Sequence, residues 1–213
     1  MMTTTAENAT RVAPVTMPVA EESVARAVLY GALSRFFSSR PSPDFLRQVA
    51  GARDLIHGDS SAVAQAWHAV CDAAGAADAT QAGDGFDRLF VSTGCPAVSL
   101  YASSYMTGMQ SGGVLPGLRS ALTRLGYARF ADCHEFEDHF SALCDVMRGL
   151  VVEDGQNTEQ DDAQKDFFSR YLAPWYGGFC ETVGRNGHAG IYGAVAEFAD
   201  AFLTHESEYF ELA

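Results

Sequence analysis

The sequence has few basic residues: 14 Lys and Arg stand against 27 Asp and Glu, which gives a formal net charge of −13 at pH 7. A chain this acidic repels the phosphates of nucleic acids and of anionic lipid headgroups. We therefore expect no nucleic-acid partner, and we expect any charged partner to be basic.

The chain also lacks the marks of a secreted or membrane protein. Its five cysteines are an odd number and form no C-x-x-C motif, so a disulfide framework is not expected. Residues 1–20 lack the basic and continuous apolar regions of a signal peptide. No later run approaches the roughly 18 apolar residues that span a membrane. We predict a cytoplasmic protein without membrane insertion, whose residues 1–20 form a disordered tail.

Familiar enzyme motifs are absent. The sequence contains no G-x-x-x-x-G-K-[ST] loop, no G-x-G-x-x-G after a strand, no G-x-S-x-G elbow and no H-E-x-x-H pair. We therefore predict no cofactor, and no catalytic, cofactor-binding or metal-binding residue.

The sequence contains one acid–histidine pair, Asp138 and His139, which could carry out proton chemistry, bind a metal ion or do neither. Cys133, His134 and Cys144 are close to it in sequence, but His139 and Cys144 would face different sides of a helix, which disfavours zinc. A metal- or Cys/His-dependent hydrolytic enzyme using His139 is the alternative interpretation. Acidic residues at a helix start, where they complement exposed N–H groups, are the simpler explanation of the pair.

Apolar residues recur at helical spacing along most of the chain. From Glu21 an apolar stripe predicts an amphipathic helix that ends before Pro41. The stripe consists of Val24, Val28, Ala32 and Phe36, widened by Leu29, Leu33 and Phe37. The sequence predicts further helices over about 42–50, 60–74, 85–91, 115–125, after Asp138 and His139, around 167–172, and over about 189–206. We expect eight or nine helices in an all-α, single-domain bundle.

The intervening segments carry three further predictions. Residues 75–85 are predicted as a loop, 98–106 have weak strand character, and 153–162 are predicted as a mobile acidic linker. Apolar helical patterns place Trp67, Trp175, Phe167 and Phe168 in the core.

Four sequence blocks resemble one protein family. They are "YGALSRFFSSRPSPDFL" at 30–46, "FDRLFVSTGCPAVSLYASSYM" at 86–106, "HEFEDHFSALCDVMRGLV" at 134–151 and "FFSRYLAPWYGGFCETV" at 167–183. In order and spacing they are similar to the TorD/DmsD/NarJ family, the cytoplasmic chaperones that mature molybdenum-cofactor redox enzymes. The second block resembles the family's Y-x-R-L-F-x-G-P and Y-E-S-x-Y pattern, and the third its E-P-x-D-H hinge. Phe136 stands where the family usually has Pro.

The resemblance implies a TorD-like helical domain spanning residues 21–213 and a protein that is not an enzyme. It implies binding of the twin-arginine leader, the apo-form of a molybdoenzyme catalytic subunit, or both, before export or assembly. A monomer and a domain-swapped dimer are both compatible with the family.

The resemblance also suggests a client-binding site. A twin-arginine leader has a basic region and a short apolar region, so its receptor needs carboxylates beside an apolar groove. We predict that Glu135 and Asp138, with Glu137 beside them, bind the guanidinium groups, and that His139 orients them or packs. The other predicted client-binding residues are Leu89, Phe90, Tyr101, Ser104, Tyr105 and Phe140.

Overall fold

The computed structural model describes residues 21–56, 61–91, 96–106, 113–129, 135–153 and 159–212. Within these ranges the chain forms nine α-helices and no β-strand, which confirms the predicted all-α bundle. No helix in the described ranges is long and apolar enough to cross a membrane. The helices are α1 (Glu21–Ser38), α2 (Pro43–Ala50), α3 (Ala62–Ala76), α4 (Ala79–Phe90), α5 (Val114–Arg124), α6 (Phe140–Glu153), α7 (Glu159–Tyr171), α8 (Tyr176–Gly184) and α9 (Ile191–Leu212).

The helices pack around an aromatic centre. Helix α1 lies along α6, α9 lies along α3 and α8, and α2 packs on α3. Phe37 of α1 makes edge-to-face contacts with Phe90, Phe140 and Phe179, at centroid distances of 5.6, 5.1 and 5.2 Å. Such pairs add about 0.5–1.5 kcal/mol each beyond the burial of area. The end of α4 and the start of α6 are thereby fixed against α1 and α8.

Capping residues set the starts of α2, α3 and α4. The hydroxyl of Ser42 accepts the N–H of Phe45, and Ser61 and Asp78 cap the next two helices in the same way. The predicted loop at 75–85 is wrong, because α3 continues to Ala76 and α4 begins at Ala79. Gly83 and Gly85 lie within α4 and are buried where the helix packs on its neighbours.

Helix α1 buries most of the predicted stripe, from Leu29 to Phe37, but the first two residues of the stripe are exposed. Val24 and Val28 are 49% and 44% exposed, whereas Arg26 and Tyr30 are buried. Arg26 is accommodated in the interior because its Nε and Nη2 atoms donate to the carboxylate of Glu206 in α9, at 2.8 and 2.7 Å. A partner 180 positions away thus accounts for the burial of Arg26 near the start of α1.

Two other expectations need correction. Residues 98–106 form a single antiparallel bridge, between Tyr101 and His139, and a 3₁₀ turn at Ala102–Ser104. The acidic linker is shorter than predicted, since α6 continues to Glu153 and α7 begins at Glu159. Residues 154–158 and the predicted tail, 1–20, lie outside the described residues.

The C-terminal part contains one more helix than the sequence pattern indicated. Helix α8 begins directly after Trp175, and α9 continues beyond Glu206 to Leu212. The core assignment of the two tryptophans and of Phe167 and Phe168 is confirmed, because all four side chains are at most 3% exposed.

Candidate functional site

Two segments that are far apart in sequence meet before α6: loop 96–106 and the hinge segment, residues 135–139. The N–H of Phe140 donates to the carbonyl of Leu100 at 2.8 Å, and that of Ala102 donates to the carbonyl of Asp138 at 3.0 Å. At its other end the loop is tied to α4, because the N–H of Val98 donates to the carbonyl of Leu89 at 2.9 Å. These bonds give loop 96–106 a fixed position over the start of α6.

Asp138 lies beneath this surface. It is 1% exposed, and its Oδ2 atom accepts the backbone N–H of Ser103 at 3.0 Å. A buried carboxylate needs such donors to offset the loss of hydration. The first role of Asp138 in the described conformation is therefore to hold loop 96–106 in place.

His139 is a buried, neutral cap of α6. Its Nδ1 atom accepts the backbone N–H of Ser141 at 3.2 Å and lies 2.7 Å from the Ser141 hydroxyl. Because a backbone N–H can only donate, Nδ1 carries no proton and the hydroxyl donates to it as well. Burial lowers the pKa of His139 from 6.5 to about 4, although the nearby carboxylates of Glu135 and Asp138 act in the opposite direction. The imidazole is thus neutral at pH 7.

The predicted apolar residues divide into two groups. Leu89, Phe90 and Phe140 are 0%, 8% and 0% exposed and belong to the core. The rings of Phe90 and Phe140 both contact Phe37 of α1. Tyr101 and Tyr105 are half-buried at the edge of the loop. Direct contact of the three core residues with a client stays a prediction, and in the described conformation their side chains are not accessible.

Tyr105 packs the end of loop 96–106 against the start of α8. Its ring stacks on Trp175 at a centroid distance of 5.2 Å and an angle of 27°. Its hydroxyl donates to the carbonyl of Ser99 at 3.0 Å, and burial raises its pKa to about 12. Tyr105 is therefore part of the support of the loop, with only a partly accessible ring.

The accessible part of this region is a small surface above buried Asp138 and His139, which we call the base. We call the accessible part the hinge surface and define it by the exposed residues Ser103, Ser104, Glu135 and Phe136 together with half-buried Tyr101. The hydroxyls of Ser104 and Ser99 are 2.6 Å apart. Three of these five residues, Tyr101, Ser104 and Glu135, are predicted from the sequence as client-binding residues, whereas Ser103 and Phe136 are not. Phe136 carried one signal, since it replaces the usual proline of the hinge pattern.

Glu137 is engaged with an arginine. Its two carboxylate oxygens accept from Nε and Nη2 of Arg119 at 3.0 and 3.1 Å. These hydrogen bonds lower the pKa of Glu137. Of the three predicted carboxylates, only that of Glu135 belongs to an exposed residue, and Arg129 donates to the backbone carbonyl of the same residue at 3.3 Å.

Residues 57–181 match the model of the nitrate reductase delta subunit family, and this range is more than half of the chain. The chain therefore belongs to the nitrate reductase delta subunit family. The matched range contains loop 96–106, the hinge segment and α6, so the candidate site lies inside the part that defines the family. The predicted resemblance to the TorD/DmsD/NarJ group is confirmed.

Curated relatives agree with this assignment. The proteins named chaperone protein TorD from Vibrio cholerae serotype O1, strains Classical Ogawa 395 and M66-2, are each 27% identical over 128 residues. The alignment covers 57% of this chain and 58% of each relative. The chain thus matches little more than half the length of these relatives.

In this member of the nitrate reductase delta subunit family, the described cysteines are poor nucleophiles. Cys71, Cys144 and Cys180 are buried, and burial raises the thiol pKa of all three, that of Cys71 to about 11. A neutral thiol is a weak nucleophile. Among the described residues, no three or more His, Cys, Asp or Glu are grouped so that they could hold a metal ion. Cys133 and His134, considered above for zinc, lie outside the described residues, as does Cys95.

Proposed function

We propose that the protein is a cytoplasmic chaperone that binds the twin-arginine leader, the apo-form of a molybdenum-cofactor oxidoreductase subunit, or both, and assists maturation before export or assembly. In this proposal it catalyses no reaction and requires no cofactor. Membership of the nitrate reductase delta subunit family and the relatives named chaperone protein TorD support it.

The observation that carries the proposal is the construction of the hinge surface. Exposed Glu135, Phe136 and Ser104 stand over a base in which Asp138 and His139 are buried and hydrogen-bonded to backbone groups. A receptor whose surface is already ordered loses less conformational entropy on binding than a flexible one. The base therefore suits recognition of a peptide, and its neutral imidazole is committed to a helix cap.

Charge supports a basic client. The chain carries a formal charge of −13, which raises the encounter rate with a cationic leader at low salt. Glu135 and Phe136 are consecutive and both exposed, so a polar and an apolar side chain are available in the hinge segment. A leader with adjacent arginines followed by an apolar stretch has the complementary order of groups.

The test is binding of a fluorescently labelled synthetic leader with two adjacent arginines and an apolar stretch. Its control is a peptide of the same composition in scrambled order. We expect the leader to bind more tightly than the control, and we expect the affinity to fall as salt is raised. The same titration with a purified apo-subunit of a molybdoenzyme tests the second client. A folded protein that binds neither the leader nor the apo-subunit would overturn the proposal.

Variants of the hinge then locate the site. Asp138→Asn keeps an acceptor for the N–H of Ser103 and removes the negative charge, whereas Asp138→Ala removes both. Glu135→Gln removes the exposed charge alone. If Glu135 contributes at the rim of the site, its variant changes mainly the association rate and the salt dependence. Unchanged binding in Glu135→Gln and Asp138→Asn would place the client elsewhere on the protein.

A further inference from the structure

An open groove between α1 and α6 has an apolar lining. Six large apolar residues are exposed within the described ranges, and three of them, Val24, Val28 and Val152, line this groove. Its volume is about 770 Å³, and Phe45 of α2 and Trp67 of α3 complete its wall. We call it the α1–α6 groove. Exposed apolar residues scattered singly are normal on a protein surface, whereas a group of them is typical of a surface that binds something.

The two valines of α1 belong to the apolar stripe of that helix. The stripe is buried from Leu29 to Phe37, and only its first two residues, Val24 and Val28, are exposed. An apolar stripe at helical spacing normally packs against another element along its whole length. The uncovered part lies next to Glu21, where the chain enters α1. An element that covers the valines therefore has to lie near the point at which the preceding residues arrive.

The charged residues of the groove already have partners in the groove. The guanidinium group of Arg35 lies over the ring of Phe45 at 4.0 Å and donates to Gln48 at 3.0 Å. Arg148 donates to Asp145, three positions before it on α6, at 3.1 Å. An occupant without charge therefore fits this groove better than an acidic or a basic one, because it leaves these contacts in place.

The residues directly before α1 have the matching composition. Residues 12–20, "VAPVTMPVA", contain no charged residue, and eight of the nine are Val, Ala, Pro or Met. Proline favours extended backbone in itself and in the residue before it, and this stretch contains two prolines. In an extended chain Val15, Met17 and Val19 lie on the same side. The sequence thus supplies an uncharged apolar edge next to an uncovered apolar groove.

The length of this stretch also fits. Residues from Ser23 to Ser38 of α1 line the groove, a distance of about 22 Å along the helix. Nine extended residues span at most about 30 Å, so residues 12–20 are long enough to return along the groove after a turn near Glu21. The other segments outside the described residues have at most six residues each, which is too few to follow the groove from end to end.

We propose that residues 12–20 bind in the α1–α6 groove of the same chain, antiparallel to α1, and cover Val24, Val28 and Val152. The occupant of this surface is an uncharged, extended segment of the chain itself. Its two prolines reduce the entropy that the segment loses on binding. The predicted disordered tail is then confined to residues 1–11. The inference is independent of client binding, because the groove contains none of the residues of the hinge surface.

The test is amide hydrogen exchange of the full chain, measured by mass spectrometry and corrected for intrinsic rates. Residues 2–10 of the same chain are the internal reference. Val28→Glu places a charge in the groove, and Met17→Asp places one in the segment. The control is Val91→Glu, because Val91 is an exposed valine at the end of α4 that does not line the groove. Thermal melts establish that each variant is folded.

We expect the amides of residues 12–20 to exchange about tenfold more slowly than those of residues 2–10 in the parent, as for a segment that is bound in about nine molecules of ten. Val28→Glu and Met17→Asp are each expected to abolish this protection. Val91→Glu is expected to keep the protection of the parent.

Three results would overturn the inference. Equal exchange of residues 12–20 and 2–10 in the parent would show that the segment is not bound. Protection that persists in folded Val28→Glu would place the segment elsewhere on the protein, and Met17→Asp decides in the same way if Val28→Glu does not fold. Protection that falls on dilution of the protein would show that the segment binds a second copy of the chain.

Discussion

Two clusters of buried polar residues lie in the described part of the molecule, and they differ in the structural elements that they connect. The core cluster consists of Arg26, Tyr30, Gln164 and Glu206. Both Arg26 and the Tyr30 hydroxyl donate to Glu206, and Arg26 also donates to Gln164 at 3.0 Å. This cluster connects α1, α7 and α9, three helices that are distant in sequence.

The hinge cluster consists of Asp138, His139 and Ser141, and it lies directly under an exposed surface. It contains no ion pair: its carboxylate accepts a backbone N–H, and its imidazole is neutral. The core cluster fixes how helices are placed relative to one another, whereas the hinge cluster shapes one loop. A buried ion pair within the core can specify the register of the helices that it joins.

The largest expected effect concerns the core cluster. Glu206→Leu leaves the guanidinium of Arg26 buried without its carboxylate, since the side chain of Arg26 is 10% exposed and that of Glu206 1%. Removing one partner of a buried pair costs about 3–5 kcal/mol. Urea unfolding of parent and variant measures the loss. The control is Glu181→Ala, which removes a surface pair with Arg185 and is expected to cost less than about 1 kcal/mol.

A double variant sharpens this result. Arg26→Met combined with Glu206→Leu removes both charges and keeps apolar volume, so it is expected to be more stable than Glu206→Leu alone. The recovery is partial, because Tyr30 and Gln164 also lose their partners in the cluster. If the double variant is less stable than both Glu206→Leu and Arg26→Met, the loss of stability in Glu206→Leu does not come from an unpaired buried charge.

The core cluster also shows where prediction from sequence stops. Helical spacing located α1 to within two residues, because its apolar period and the following Arg40 and Pro41 are local features. The exposure of Val24 and Val28 and the burial of Arg26 were not predicted, because the two valines continue the apolar pattern and Arg26 does not. No local rule places an arginine inside, and only the position of Glu206 on a distant helix does so.

The hinge segment also shows a limit of prediction from sequence. The residues that meet there were largely named from the sequence, because the block order carried the resemblance. Their burial was not predictable, since the partner of Asp138 is the backbone of Ser103, 35 positions earlier. Asp138 was therefore expected at the client surface, whereas the described conformation places it beneath. Phe136 was noted only as a departure from the family pattern.

The second largest effect is expected at Asp138. Asp138→Ala leaves the N–H of Ser103 without its acceptor, and losing a hydrogen bond to a charged group costs about 1.5–3 kcal/mol. Asp138→Asn retains an acceptor oxygen, so its loss of stability is expected to be smaller. Thermal melts of the two variants measure the difference. Equal melting temperatures for Asp138→Ala and the parent would mean that the carboxylate does not support loop 96–106.

His139 gives the hinge cluster a pH dependence. Folding lowers its pKa from 6.5 to about 4, so between these values the unfolded chain binds more protons than the native protein. Stability contributed by the neutral ring is therefore lost as the pH falls through this window, by about 2 kcal/mol between pH 7 and pH 5. Unfolding by urea at the two pH values measures this loss.

His139→Asn provides the matched control for that titration. An asparagine oxygen can accept the N–H of Ser141 and cap α6, but it does not titrate in this range. We expect the variant to lose less stability than the parent between pH 7 and pH 5, by about 2 kcal/mol. If parent and variant respond to pH identically, the imidazole is not the group that responds.

The smallest effect on stability is expected at Ser104, and it decides whether the hinge surface can be separated from its base. The Ser104 hydroxyl is exposed and bonds only to that of Ser99 among the contacts described, so water replaces it in Ser104→Ala. We expect a change in unfolding free energy within about 0.5 kcal/mol, as for most surface substitutions. If Ser104 contacts the leader, its affinity falls while the melting temperature stays constant. A loss of stability as large as that of Asp138→Ala would instead show that surface and base form one structural unit, and the contrast between the two clusters would no longer hold.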